Sequence, residues 1–202
     1  MLDGSCKGNG LQIKKTSEMK MLLAWINVIR LIPHSILLWK YHELCREDIL
    51  TNSPASLRQK SLFYQWLYLM TFDKFYRALY YHRIGSLRYF ISFLCPAHSC
   101  FFISPSTKIG QGLKLCHPFS TVINAERVGE NVAIFQDVTI GVNAGKRPII
   151  GNNCEIYTNS VILGGITVGD GVTVGACTLV NKNTPPNSVI VGIPGKIIRV
   201  KG

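Results

Sequence analysis

From residue 103 to residue 180 the apolar positions fall into one rhythm. Ile103, Ile109 and Leu115 lie six apart, and Val122, Val128, Ile134 and Ile140 continue the ladder after one extra residue. Ile150, Ile156, Ile162, Val168, Val174 and Val180 complete it. A period of six belongs neither to an α-helix, which repeats about every 3.6 residues, nor to an isolated strand, which repeats about every two. It belongs to a chain that turns a corner after each short side and stacks coil on coil as a triangular prism. Each aliphatic side chain then points inward and meets its counterparts in the coils above and below. Glycine follows the aliphatic at Gly110, Gly129, Gly141, Gly151, Gly169 and Gly175, where a corner asks for backbone freedom. An ordinary β-sandwich has no reason to hold thirteen aliphatics in such register.

Before residue 100 the pattern is helical. Residues 21–39 are the most apolar stretch, close to the length of a membrane span, but Arg30, Pro33 and His34 interrupt it. A helix buried against the rest of the protein is expected, with a helix lying on a membrane surface as the alternative. More helix follows from Glu43 and breaks at Thr51-Asn52-Ser53-Pro54. Over residues 57–82, Leu62, Trp66, Leu69, Phe72, Phe75, Leu79 and His82 recur at helical spacing, with Arg77 and Arg83 beside Tyr76, Tyr80 and Tyr81. Such a stripe reads as core. Residues 1–20 are polar and without a period, and read as a flexible extension. The expected architecture is α+β: an extension over 1–20, a helical region over 21–100, and a β-helix domain over 101–202.

Composition narrows the function. Of the 202 residues 47% are hydrophobic and 16% charged, which describes a folded chain and excludes a disordered one. The net charge of +11 favours anionic partners such as cofactor phosphates or a phospholipid surface. Nucleic acid ranks last, because no helix-turn-helix or zinc-finger spacing accompanies the charge. The seven cysteines are odd in number and form no CxxC pair, so no metal is expected; Cys154 and Cys177 read as small core residues. With no secretory signal visible, the cytoplasm is the expected compartment, with membrane association as the alternative.

The ladder slips between Leu115 and Val122, and the residue presented at the slip is His117. Such departures redirect a side chain and often mark function. A histidine can take the proton of a hydroxyl near neutral pH, which acyl transfer to an alcohol requires.

The ladder, together with Val191-Gly192-Ile193-Pro194-Gly195-Lys196-Ile197-Ile198-Arg199 at its end, resembles the hexapeptide-repeat acyltransferases. The helical front, including Arg30-Leu31-Ile32-Pro33 and Asp48-Ile49, resembles the serine acetyltransferases and their relatives among sugar and polysaccharide O-acetyltransferases. The resemblance implies a left-handed parallel β-helix, acetyl-coenzyme A as acyl donor, and a homotrimer with its site between neighbouring prisms. It implies His117 as general base, Gly141, Thr158 and Ala176 beside the pantetheine arm, and Lys196 and Arg199 near the phosphates.

Three departures stand out. The family's Asp-His-Ala-Thr-Gly reads Cys116-His117-Pro118-Phe119-Ser120 here, and its Asp-Ile-His-Pro at the prism entry reads Phe102-Ile103-Ser104-Pro105. Its second histidine, in an Arg-His-Pro context, is replaced in the shorter loop Gly141–Pro148 by Arg147, which with Lys146 becomes a candidate substrate contact. Asp137 is the expected carboxylate for orienting His117, ahead of Glu126. Cys116 is expected not to carry an acyl group, because neighbouring strand residues point to opposite faces. These residues predict an acetyl-coenzyme-A-dependent O-acetyltransferase. The lost Asp and His would have recognised serine, so the expected acceptor is a sugar or polysaccharide-precursor hydroxyl. Serine O-acetylation in cysteine synthesis is the alternative, and an inactive β-helix scaffold is the alternative of another class.

Overall fold

The computed structural model describes residues 27–200. The expected extension over 1–20 and the start of the apolar run at 21–26 lie outside the described residues. Helix α1 (Val28–Lys40) buries Leu31, His34 and Leu38 but leaves Ile29, Ile32, Ile36 and Trp39 exposed on its other side. The expected burial therefore holds for one face of the helix. Among the described residues no helix is long and apolar enough to cross a membrane.

Helix α2 (His42–Asn52) ends at Ser53, whose extended backbone leads into Pro54. The helical stripe over 57–82 resolves into two helices, α3 (Leu62–Phe72) and α4 (Lys74–Arg83), rather than one. Asp73 makes the break: its backbone is extended, and its Oδ1 accepts the N–H groups of Phe75 (2.9 Å) and Tyr76 (3.0 Å), capping α4. Trp66, Tyr76 and Tyr80 centre the helical core, and a short helix α5 (Arg88–Ile91) closes it.

The rest is a three-walled solenoid. One wall stacks β1 (Phe101–Ile103), β4 (Thr121–Ile123), β7 (Thr139–Gly141), β10 (Val161–Leu163) and β13 (Leu179–Val180). A second stacks β2 (Lys108–Ile109), β5 (Arg127–Val128), β8 (Ile149–Ile150) and β11 (Thr167–Val168). The third stacks β3 (Lys114–Leu115), β6 (Ala133–Ile134), β9 (Glu155–Ile156), β12 (Thr173–Val174) and β14 (Ser188–Val191), all parallel. On its far edge β15 (Lys196–Val200) folds back antiparallel to β14. The inward ladder is as expected with one correction. Ile123 and not Val122 is buried in the prism, because it is Ile123 that pairs with Ile140.

The corners explain the polar spacing. Asn131, Asn153 and Asn187 at one corner, and Ser120, Asp137, Asn159 and Cys177 at another, all have positive φ. Asn and Asp tolerate that region better than most residues. The glycines after the aliphatics serve space instead: a Cβ on Gly151 would lie 2.5 Å from Asp170 Oδ1 and 2.7 Å from its amide nitrogen.

Three polar side chains lock the helices to the first coils. Arg83 pairs with Asp48 (2.7 Å) at 5% and 1% side-chain exposure, and also donates to the carbonyls of Ile109 and Gly110. Asp48 Oδ1 accepts the N–H groups of Gly112 and Leu113. Burial pushes the Asp48 carboxyl up, and Arg83 with these two amides pulls it back. Asn52 donates to the Leu113 carbonyl and accepts from the Leu115 amide, both at 2.8 Å.

Candidate active site

His117 lies just past β3, where the coil is longer than its neighbours. Eight positions separate Leu115 from Ile123, against six between their partners Ile134 and Ile140. The slip is therefore two residues and not the one read from the sequence. The surplus is taken up by a tight turn: His117 has φ 52° and Ser120 φ 51°, and the Phe119 N–H donates to the His117 carbonyl (2.6 Å). Pro118 is buried, which anchors the turn and leaves the His117 side chain exposed. Asn52, bonded to Leu113 and Leu115, fixes the strand that delivers it.

His117 opens into a cleft of about 490 Å³ between the solenoid and the helices. The opposite wall comes from Asn52, Tyr68, Phe72, Asp73, Lys74 and Phe75, with His98 from the linker. The His98 ring stacks on Phe75 (4.5 Å between centroids, 20°) and meets Phe119 edge-on (5.7 Å). Its Nδ1 accepts the Cys100 N–H (3.1 Å), and its own backbone N–H donates to the Lys74 carbonyl (3.1 Å). Arg77 braces both sides, donating to the carbonyls of Met70 and Thr71 (2.6 Å each) and of Pro96 (2.9 Å). Sequence reading missed Asp73, Lys74 and His98 as site residues. The apolar stripe runs on at helical spacing from Leu69 and Phe72 to Phe75 and Leu79, so the break at Asp73 left no periodic signal.

The other expected residues fall in three places. Asp137 occupies the same corner one coil on, exposed, with φ 57°, and its N–H donates to the Phe119 carbonyl (2.9 Å). Its contribution to the His117 turn is thus through the backbone; among the described residues no side chain hydrogen-bonds the His117 ring. Glu126, Lys146 and Arg147 line a separate cleft of about 410 Å³, which shares no lining residue with the His117 cleft. Arg147 donates to Ser106 Oγ (2.6 Å), and the Lys146 stem lies across Gly165, where a Cβ would meet it at 2.8 Å. Burial pushes the Cys116 thiol up, with Lys114 opposing and Glu155 adding, so it stays protonated and a poor nucleophile.

Thr158 and Ala176 lie on the His117 corner of later coils, their carbonyls accepting from the Cys177 N–H (3.0 Å) and Thr178 Oγ1 (3.3 Å). Gly141 ends β7, where a Cβ would crowd Leu163 at 3.2 Å. Lys196 lines a third cavity of about 290 Å³ with Lys182, and Arg199 is exposed on the same strand. Five strand steps separate β3 from β15, about 24 Å at the usual inter-strand spacing. Thr158 and Ala176 on this corner, with the cations at its end, are the residues that could hold a long thioester carrying phosphates.

The parallel β-solenoid behind a helical front is the fold of the hexapeptide-repeat, serine acetyltransferase-like transferases. Residues 147–182 match the family described as bacterial transferase hexapeptide (six repeats). The serine acetyltransferase of Bacillus pumilus is 33% identical over 176 residues, covering 80% of this chain and 79% of that protein. The serine acetyltransferase of Buchnera aphidicola is 46% identical over 103 residues, covering 48% of this chain and 40% of that one. The crystal structure of Neisseria gonorrhoeae serine acetyltransferase in complex with serine superposes with TM-score 0.63 at 26% identity, covering 79% of this chain and 69% of that one. The chain belongs to the serine acetyltransferase family of hexapeptide-repeat acyltransferases. It is an acetyl-coenzyme-A-dependent acyltransferase, which removes the scaffold alternative.

Proposed function

We propose that the chain is an O-acetyltransferase that moves the acetyl group of acetyl-coenzyme A to the hydroxyl of L-serine. The observation that carries the acetyl-transfer chemistry is His117, exposed in a cleft at the corner that leads past Thr158 and Ala176 toward Lys196 and Arg199. The imidazole takes the proton of the acceptor hydroxyl, the oxygen attacks the thioester carbonyl, and the proton passes to the departing thiolate. Backbone amides along the corner are the candidates for stabilising the tetrahedral oxyanion. Serine is favoured over the sugar expected from the sequence because the matched relatives carry the serine name. A sugar hydroxyl remains the second reading, supported by Phe102, Ser104 and Arg147 standing where the family motifs have other residues.

Within one chain Lys146 and Arg147 both line the second cleft and not the His117 cleft, so their route to a His117 cleft is from a neighbouring copy. Phe102, Phe119 and Val142, all large, apolar and exposed, supply surface for such packing, so we read the active form as a homotrimer. The test is thiol release from acetyl-coenzyme A with L-serine and, separately, with a panel of sugars and sugar nucleotides. Saturable release with serine supports the proposal. Release with a sugar and none with serine replaces it by the second reading.

A further inference from the structure

The wall opposite His117 carries a pair of opposite charges that the acetyl-transfer chemistry does not use. We propose that Asp73, Lys74 and His98 form the pocket that selects a zwitterionic amino-acid acceptor, an inference that rests on the acetyl-transfer reading above.

Three observations point the same way. Asp73 commits only Oδ1 to the α4 cap, and among the described residues nothing hydrogen-bonds Oδ2, in a residue that lines the cleft. Lys74 follows it, exposed, with an ammonium that pairs with no carboxylate among the described residues. His98 accepts the Cys100 N–H at Nδ1, which leaves the neutral ring's proton on Nε2 as a donor. Phe75 and Phe119 hold that ring from its face and its edge. The wall therefore offers one anionic acceptor beside one cation and one N–H donor. That set is the complement of an α-ammonium and an α-carboxylate on the same carbon. A neutral polyol would displace water from both charges and pair neither, which costs binding and discriminates against it.

The wall also answers the losses read from the sequence. The family Asp and second His, missing here, are the groups expected to hold the serine ammonium and carboxylate. Asp73, Lys74 and His98 supply the same charges from the opposite side of the cleft. Arg77 ties the carbonyls of Met70 and Thr71 to that of Pro96, so the segments carrying all three residues keep their spacing.

The test uses the full chain with acetyl-coenzyme A and four acceptors: L-serine, ethanolamine (no carboxylate), L-glycerate (no ammonium) and glycerol (neither). Lys74→Met is expected to raise KM for serine and glycerate about tenfold while ethanolamine shifts less than about twofold. Asp73→Asn, which keeps an N-cap side chain, is expected to raise KM for serine and ethanolamine and spare glycerate. KM for acetyl-coenzyme A and the far-ultraviolet circular dichroism should be unchanged in both variants. Equal effects on all four acceptors, or a wild type that prefers glycerol to serine, overturn the pocket while acetyl transfer stands. A wild type that releases no thiol with any acceptor sinks the acetyl-transfer reading instead. Titration of L-serine followed by NMR then still decides the pocket: binding lost in both variants upholds it, and no binding to the wild type overturns it.

Discussion

His117 illustrates how much one residue can be read from a broken pattern. Its replacement by Ala is expected to lower turnover by about 10²–10⁴-fold with the fold intact, since general-base catalysis is worth that much; steady-state kinetics beside circular dichroism checks it. The histidine was legible because a ladder of period six makes any surplus residue conspicuous, although the surplus is two and was read as one. Asp73 and His98 were not legible. They reach the cleft through the Arg77 bonds to Met70, Thr71 and Pro96, contacts that leave no periodic trace. A second residue-scale expectation concerns His34, which is 0% exposed and bonded to the Tyr81 hydroxyl (2.9 Å). Burial pushes its imidazole down to about 4, while the Arg30 carbonyl pulls the other way by less. The unfolded chain takes up this proton near pH 6.5 and the folded chain only near pH 4. Unfolding therefore binds a proton in that window, and stability falls as pH drops through it, by about 2 kcal/mol from this group. Urea unfolding at pH 7 and pH 4.5, with His34→Gln giving the smaller difference, checks the sign.

The walls of the prism were the most legible elements, because each coil repeats the same demand: one aliphatic inward, one corner residue at positive φ. What the period concealed was why glycine follows the aliphatic. Freedom of φ was expected, whereas Gly151 is needed for the close approach of the next coil. Gly151→Ala is accordingly expected to cost about 3 kcal/mol, because backbone cannot move aside. Gly145→Ala, at φ 75° with open space around it, should cost only about 1 kcal/mol. Chemical denaturation of the two variants separates these causes. The lock between helices and solenoid was also hidden, since Asp48 and Asn52 lie far along the chain from Arg83 and from the coil residues they hold. Asp48→Ala strands the buried Arg83 guanidinium and is expected to destabilise by about 3–5 kcal/mol. The paired change Asp48→Ala with Arg83→Met should cost less than Asp48→Ala alone. An equal or larger loss would mean that the carbonyls and amides bound by the pair matter more than its charges.

At the scale of the whole molecule, the helices supply one side of a cleft and the solenoid the other, while Lys146 and Arg147 face elsewhere. If neighbouring copies complete the site, co-expressed His117→Ala and Arg147→Ala chains should regain activity that neither shows alone. Random mixing restores about a quarter of the sites in a cyclic trimer. Absence of recovery, with light scattering still reporting a trimer, would place the whole site within one chain.

The solenoid is also a ruler. His117 stands near one end of the third wall and β15 carries its cations at the other, so the number of turns between them sets how long a molecule can touch both. Because Ile150 and Val168 occupy equivalent places on successive turns, cutting out residues 151–168 would bring Gly169 to the place of Gly151 and Ala176 to that of Thr158. The shortened protein would keep its inward ladder and its acceptor cleft, yet hold its two ends closer by one strand spacing, about 4.8 Å. Chain length along the axis, and no single side chain, would then be what measures the donor.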